Sequence, residues 1–116
     1  MAIATRGLAP LFQAFEMPRS IAFYRDVLGF EVASAAPAAP TDCFDWALLR
    51  RDGVELMLNT AYEADARPSS PDPARVRAHG NTALYFACRD VDGAYAHLRA
   101  LRIDAVPLTV RITAPL

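Results

Sequence analysis

Met17-Pro18-Arg19-Ser20-Ile21-Ala22-Phe23-Tyr24-Arg25-Asp26-Val27-Leu28-Gly29-Phe30-Glu31 is the stretch whose reading decides the fold of this chain. Pro18 suits the first turn of a helix, where its missing N–H has no intrahelical partner to lose. Ile21, Tyr24 and Leu28 follow at helical spacing, and Phe23 and Val27 widen the apolar stripe, so one face is built for burial. Gly29 can take the left-handed conformation that ends a helix, after which residues 30–33 resume as a strand. Residues 90–104 repeat the plan, with Leu101 answering Leu28 and Ile103 answering Phe30. The chain therefore reads as a tandem duplication of one small unit.

Working outward, residues 10–16 form an apolar, aromatic run between Pro10 and Pro18 and read as a strand. Residues 35–41 (AAPAAPT) are a connector without periodicity. Residues 44–50 and 54–59 flank Arg51-Asp52-Gly53, and an Asp-Gly step between apolar runs predicts a hairpin. The first unit is thus strand, helix, strand, strand, strand. Residues 62–80 carry Pro68, Pro71 and Pro73 with Ser69 and Ser70 and mark a linker, in which Asp72 is expected to cap a short helix from Pro73 to Gly80. The second unit opens with residues 82–88 as an expected strand. Asp90 or Asp92 then caps a helix whose inward face is Val91, Ala94, Leu98 and Leu101. Residues 103–106 and 108–112 are short extended pieces broken by Pro107.

A chain of 116 residues is one domain's length and buries roughly two-thirds of the surface it exposes when unfolded, enough for a core without staples. Its 53% apolar and 22% charged residues are those of a globular protein, and a formal net charge of -1 argues against nucleic acid as a partner. No apolar run approaches the roughly 18 residues of a membrane span, and residues 1–10 lack the apolar core of a secretory signal, so no membrane partner and a cytoplasmic location are expected. Cys43 and Cys88 stand far apart without C-x-x-C spacing, and both read as reduced, structural thiols.

With this element order, with R-S-I-A-F-Y-R-D-V-L-G-F in the first helix, and with Asp52-Gly53-Val54-Glu55-Leu56-Met57-Leu58 and Arg89-Asp90-Val91-Asp92 in place, the chain resembles the vicinal oxygen chelate superfamily. That group includes glyoxalase I, the extradiol dioxygenases and the bleomycin-resistance proteins. The resemblance implies a single α+β, glyoxalase-like domain of tandem βαβββ modules forming a cupped mixed sheet. Module one would span about 8–60, the linker 61–80 and module two about 81–116. The family's final hairpin would follow Ala114-Pro115-Leu116, so the second module is expected to be incomplete. Open sheet edges invite a second chain, and a homodimer is expected.

Metal-dependent members of that superfamily hold a divalent ion through side chains from strands facing the cup. By the resemblance the positions fall at Ala9, at Thr82 or Ala83, at Glu55, and in a strand past Leu116. Of the first three only Glu55 is a good ligand, whereas a zinc site takes about three protein ligands. No metal centre and no cofactor are therefore expected.

Strand alternation sends every second side chain to one face. On the cup face it places Leu11, Gln13 and Phe15, then Glu55, Met57 and Asn59, with Tyr85 from the expected fifth strand and Trp46, with Leu48, from the third. An apolar, aromatic surface with a few polar groups is how small-molecule sites are built. The plainer reading, a cup collapsed into core, would bury Gln13, Glu55 and Asn59 at a cost unless they find partners. Glu55 is either a general base with a pKa raised by burial or a carboxylate paired with an arginine or solvated. His79 and His97 lack the context of a triad, and no nucleophile elbow, phosphate loop or dinucleotide fingerprint is present. Arg50, Arg51, Arg75 and Arg77 read as solvated charges. The expected function is binding and sequestration of a small apolar or aromatic molecule, with Phe15, Trp46, Met57 and Tyr85 enclosing it and Gln13, Glu55 and Asn59 orienting it. Bleomycin itself, a cationic glycopeptide, is less favoured by so balanced a charge. The alternatives are a metal-dependent lyase, isomerase or dioxygenase of the same superfamily, and an inactive remnant whose cup is filled by its own side chains.

Overall fold

Helix α1 (Met17–Ala22) carries Pro18 in its first turn, as expected, but does not continue as a regular α-helix in the computed structural model. Residues Phe23–Val27 widen into a π turn, in which the Leu28 N–H donates to the Phe23 carbonyl at 3.2 Å. The reason lies in two adjacent aromatics that both need burial. Phe23 and Tyr24 are each buried, and their rings meet edge to face with centroids 5.3 Å apart. A π turn holds more residues than an α turn, so consecutive side chains point in closer directions and share one face more readily. Tyr24 also meets Phe30 edge to face at 6.1 Å, and burial pushes its phenol pKa above the ordinary tyrosine value.

The structure describes residues 2–37, 44–62, 66–78 and 80–103. Among these, residues up to Arg67 form one compact unit and those from Pro68 a second. In the first unit, strands β1 (Leu11–Ala14), β2 (Glu31–Ala36), β3 (Trp46–Arg51) and β4 (Val54–Thr60) make a four-stranded mixed sheet in the order β1-β4-β3-β2. β1 runs parallel to β4, and the other pairs are antiparallel. The β3–β4 hairpin turns at Asp52 and Gly53, with φ of +49° and +81°, the left-handed pair that matches strand twist in a tight turn.

Alternate side chains of this sheet, Ala14, Ala47, Leu49, Leu56 and Leu58, are almost wholly removed from solvent, and so are Met17, Ser20 and Ile21 of α1, which packs on β4. Each fully buried leucine contributes about 1.5–3 kcal/mol. The opposite face of the sheet is only half-covered or exposed.

In the second unit, α2 (Pro73–Ala78) begins under Asp72, whose carboxylate accepts the Ala74 N–H at 2.9 Å, and α3 (Val91–Ala100) under Asp90, which accepts the Gly93 N–H at 2.8 Å. Leu98 is the buried side chain of α3, and Leu101 is exposed rather than inward. The duplication read from the sequence is visible at the helix ends. Gly29 and Arg102, the residues after Leu28 and Leu101, both have positive φ, +83° and +60°. The Phe30 N–H then donates to the Tyr24 carbonyl at 2.9 Å, as the Ile103 N–H donates to the Leu98 carbonyl at 2.8 Å. The first of these bonds spans one residue more because of the π turn.

The strand expected over 82–88 is not formed: no ladder joins these residues to another strand among those described, and every one of them is exposed, Tyr85 by 95%. An apolar, aromatic run supplies the propensity for a strand, but a strand exists only where a second backbone completes its hydrogen bonds. Cys88 is consequently an exposed free thiol rather than a buried one. Cys43, His79 and the extended pieces expected beyond Ile103 lie outside the described residues. Among the described residues no helix is long and apolar enough to cross a membrane.

Gly29 is a position where a side chain is poorly tolerated. Its φ is left-handed, and a Cβ there would come within 3.1–3.3 Å of the Arg51 guanidinium, which donates to the Gly29 carbonyl at 3.0 Å. Gly29→Ala is expected to cost about 1–2 kcal/mol, measured as a lower urea midpoint with an unchanged slope.

Candidate functional site

The ladder registers fix which side chains share the open face of the first unit. One row across the sheet is Gln13, Asn59, Trp46 and Ala36, on β1, β4, β3 and β2 in turn. The next is Leu11, Met57, Leu48 and Ser34, and the third is Glu55, Arg50 and Glu31. Neighbours in a row stand about 4.8 Å apart and successive rows about 7 Å apart. Trp46, Leu48, Glu55, Met57 and Asn59 are half-buried, whereas Leu11 and Gln13 are exposed. The face therefore passes from an amide and indole row, through an aliphatic and thioether row, to a charged row.

Five of the residues picked from the sequence, Gln13, Trp46, Glu55, Met57 and Asn59, share this face, because side-chain parity is local and each lies within a strand. Phe15 does not join their rows. β1 ends at Ala14, and the Phe15 ring is taken by Tyr62, edge to face at 6.0 Å, and by the Arg67 guanidinium, 5.9 Å from its centre. Neither Tyr62 nor Arg67 carried a signal in the sequence, since both lie past the strand in a stretch without periodicity. Tyr85 belongs to the second unit, on the exposed stretch that is not a strand.

Glu55 is paired. Its Oε2 accepts from Arg50 Nη2 at 2.9 Å and from Arg50 Nε at 3.2 Å, a two-pronged contact between residues directly opposite on β3 and β4. The arginine-paired alternative for this carboxylate is what the geometry presents. Arg50 and Arg51, read as solvated charges, both have partners, Arg51 at the Gly29 carbonyl. Among the described residues no three of His, Cys, Asp and Glu come together to hold a metal, and Glu55 is engaged by Arg50.

The family model of the Glyoxalase/Bleomycin resistance protein/Dioxygenase superfamily matches residues 10–113. The chain belongs to this superfamily. Among solved structures, this superfamily member is similar to the bleomycin-binding protein of Streptomyces verticillus, crystallised with copper(II)-bleomycin, at 20% identity and a TM-score of 0.58, covering 90% of this chain and 69% of that one. It is also similar to a lactoylglutathione lyase from Agrobacterium tumefaciens (22% identity, TM-score 0.56, 96% and 87% covered). A third is an antibiotic-binding protein from a Streptomyces species (20% identity, TM-score 0.55, 92% and 78% covered). At these identities the likeness is one of fold. No curated protein matches the sequence.

The side chains of Arg50 and Glu55 are 49% and 30% exposed, and ion pairs that solvated are worth about 0–1 kcal/mol. Glu55→Gln should therefore shift unfolding free energy by less than about 1 kcal/mol, with the shift shrinking in high salt. A loss of about 3 kcal/mol or more in urea titration would instead mark the pair as structurally essential.

Proposed function

We propose that this superfamily member binds and sequesters a small apolar or aromatic molecule on the open sheet face, without a metal centre. The observation that carries the reading is the register that sets Trp46 beside Asn59 and Gln13, one row from Met57, Leu48 and Leu11. That arrangement offers a flat ligand an indole to stack on, apolar side chains to cover, and amides to orient it. Phe15, held against Tyr62 and Arg67, lies just past the β1 end of that face. Bleomycin and antibiotic binding by structures of the same fold support the reading at the level of scaffold, since one fold hosts unrelated chemistries.

Trp46 is the sole tryptophan, so its fluorescence reports directly on the site. Titration with a panel of aromatic compounds should give a saturable change, and Met57→Ala should weaken the best ligand by about tenfold. A flat response across the panel would point to a cup closed by its own side chains. Stoichiometric Zn, Ni, Mn or Fe in protein purified without chelator would replace this reading with a metal-dependent lyase, isomerase or dioxygenase.

The working form is proposed to be a homodimer in the cytoplasm. Among the described residues β1 and β2 end the sheet on either side, and a strand at a sheet edge presents hydrogen-bonding groups that a second copy can use. Light scattering at micromolar concentration should give twice the 12.7 kDa chain mass, and a monomer would exclude the pairing.

A further inference from the structure

Resting on that binding reading, we infer that the ligand is an uncharged flat aromatic compound with a hydrogen-bonding edge, selected by the carboxamides of Gln13 and Asn59 and not by Glu55. The two amides are direct neighbours across β1 and β4, and Trp46 follows Asn59 in the same row. Neither carboxamide has a hydrogen-bond partner among the described residues. Each amide offers an acceptor oxygen and two N–H donors, so adjacent amides match a ligand edge that itself carries both a donor and an acceptor.

Nothing charged stands in that row. Among the described residues the charges nearest along the ladder rows are those of Glu55 and Arg50, four positions along β4 from Asn59, or about 14 Å at strand rise. Past the end of β1 the Arg67 guanidinium lies over the Phe15 ring, 3.9 Å from the Glu16 carboxylate. Arg50 already gives two of its nitrogens to Glu55, and Glu31 faces it from β2. A carboxylate laid over Trp46 would lose water without gaining a counter-ion from that ladder row, and it would turn two acceptor oxygens toward amides that hold acceptors as well as donors. Desolvation of an unpaired charge costs far more than that of a neutral amide. The pair holds Glu55 Oε2 against Arg50 two rows from the carboxamides and leaves neutral groups in the row of Trp46 to choose.

Calorimetric titration of the full chain with 2-naphthamide and with 2-naphthoate separates the cases, since the probes share a ring and differ in charge. At about pH 7.5, where the naphthoate carboxyl is ionised, the amide should bind at least about tenfold more tightly. Gln13→Leu and Asn59→Leu should each cut that preference to about threefold or less, while Glu55→Gln should leave it unchanged within about twofold. All three sit on the open face, and a far-UV spectrum like that of the wild type verifies the fold. Equal affinities, tighter naphthoate binding, or loss of the preference in Glu55→Gln would overturn the assignment while sparing the binding site. Binding of neither probe by protein that binds other aromatic compounds would overturn the inference alone. Binding of no compound in the panel would overturn the reading beneath it.

Discussion

Burial of one side of a thin sheet under an aromatic helix is the constraint on which the rest of the first unit depends. Ala14, Ala47, Leu49, Leu56 and Leu58 are sealed on that side with Ile21 above them. Because side chains alternate strictly along a strand, sealing one face commits every intervening residue to the other. Gln13, Trp46, Met57 and Asn59 therefore stand open because their neighbours are buried. A slip of one residue in any strand would exchange the two sets, so the apolar core sets the register of the candidate site.

The π turn serves the same burial. Phe23 and Tyr24 are consecutive and both buried, and the wider turn brings their directions closer together than an α turn does. The wider turn accommodates both and delays the helix end by one residue, after which Gly29 reverses the chain into β2. Arg51 then donates to the Gly29 carbonyl, tying the start of β2 to the β3–β4 hairpin. Helix end, hairpin and sheet are one mechanical unit, which is why a small residue at a single turn matters.

Electrostatics on the open face follow from which residues the ladders set opposite one another. Arg50 faces Glu55 on one side and Glu31 on the other, so the charged row is satisfied largely within itself. Glu55, the one good ligand among the positions that the sequence resemblance suggested, forms an ion pair with Arg50. The carboxamides of Gln13 and Asn59, two rows away, carry both donors and acceptors and no charge.

Much of this was legible in the residues themselves. The helix start at Pro18, its end at Gly29, the Asp52-Gly53 turn, the caps Asp72 and Asp90, and the parity that groups Gln13 with Asn59 and Trp46 all depend on backbone preferences within a few residues, and local sequence determines them. The pairing of Arg50 with Glu55, the seat of Phe15 against Tyr62 and Arg67, and the π turn under Phe23 and Tyr24 were decided by the tertiary structure. So was the exposed course of residues 82–88, which joins no ladder among the described residues despite its strand-like composition. Each of these needs a partner distant in the chain or a contest for the same buried space, and no window of sequence records which partner wins.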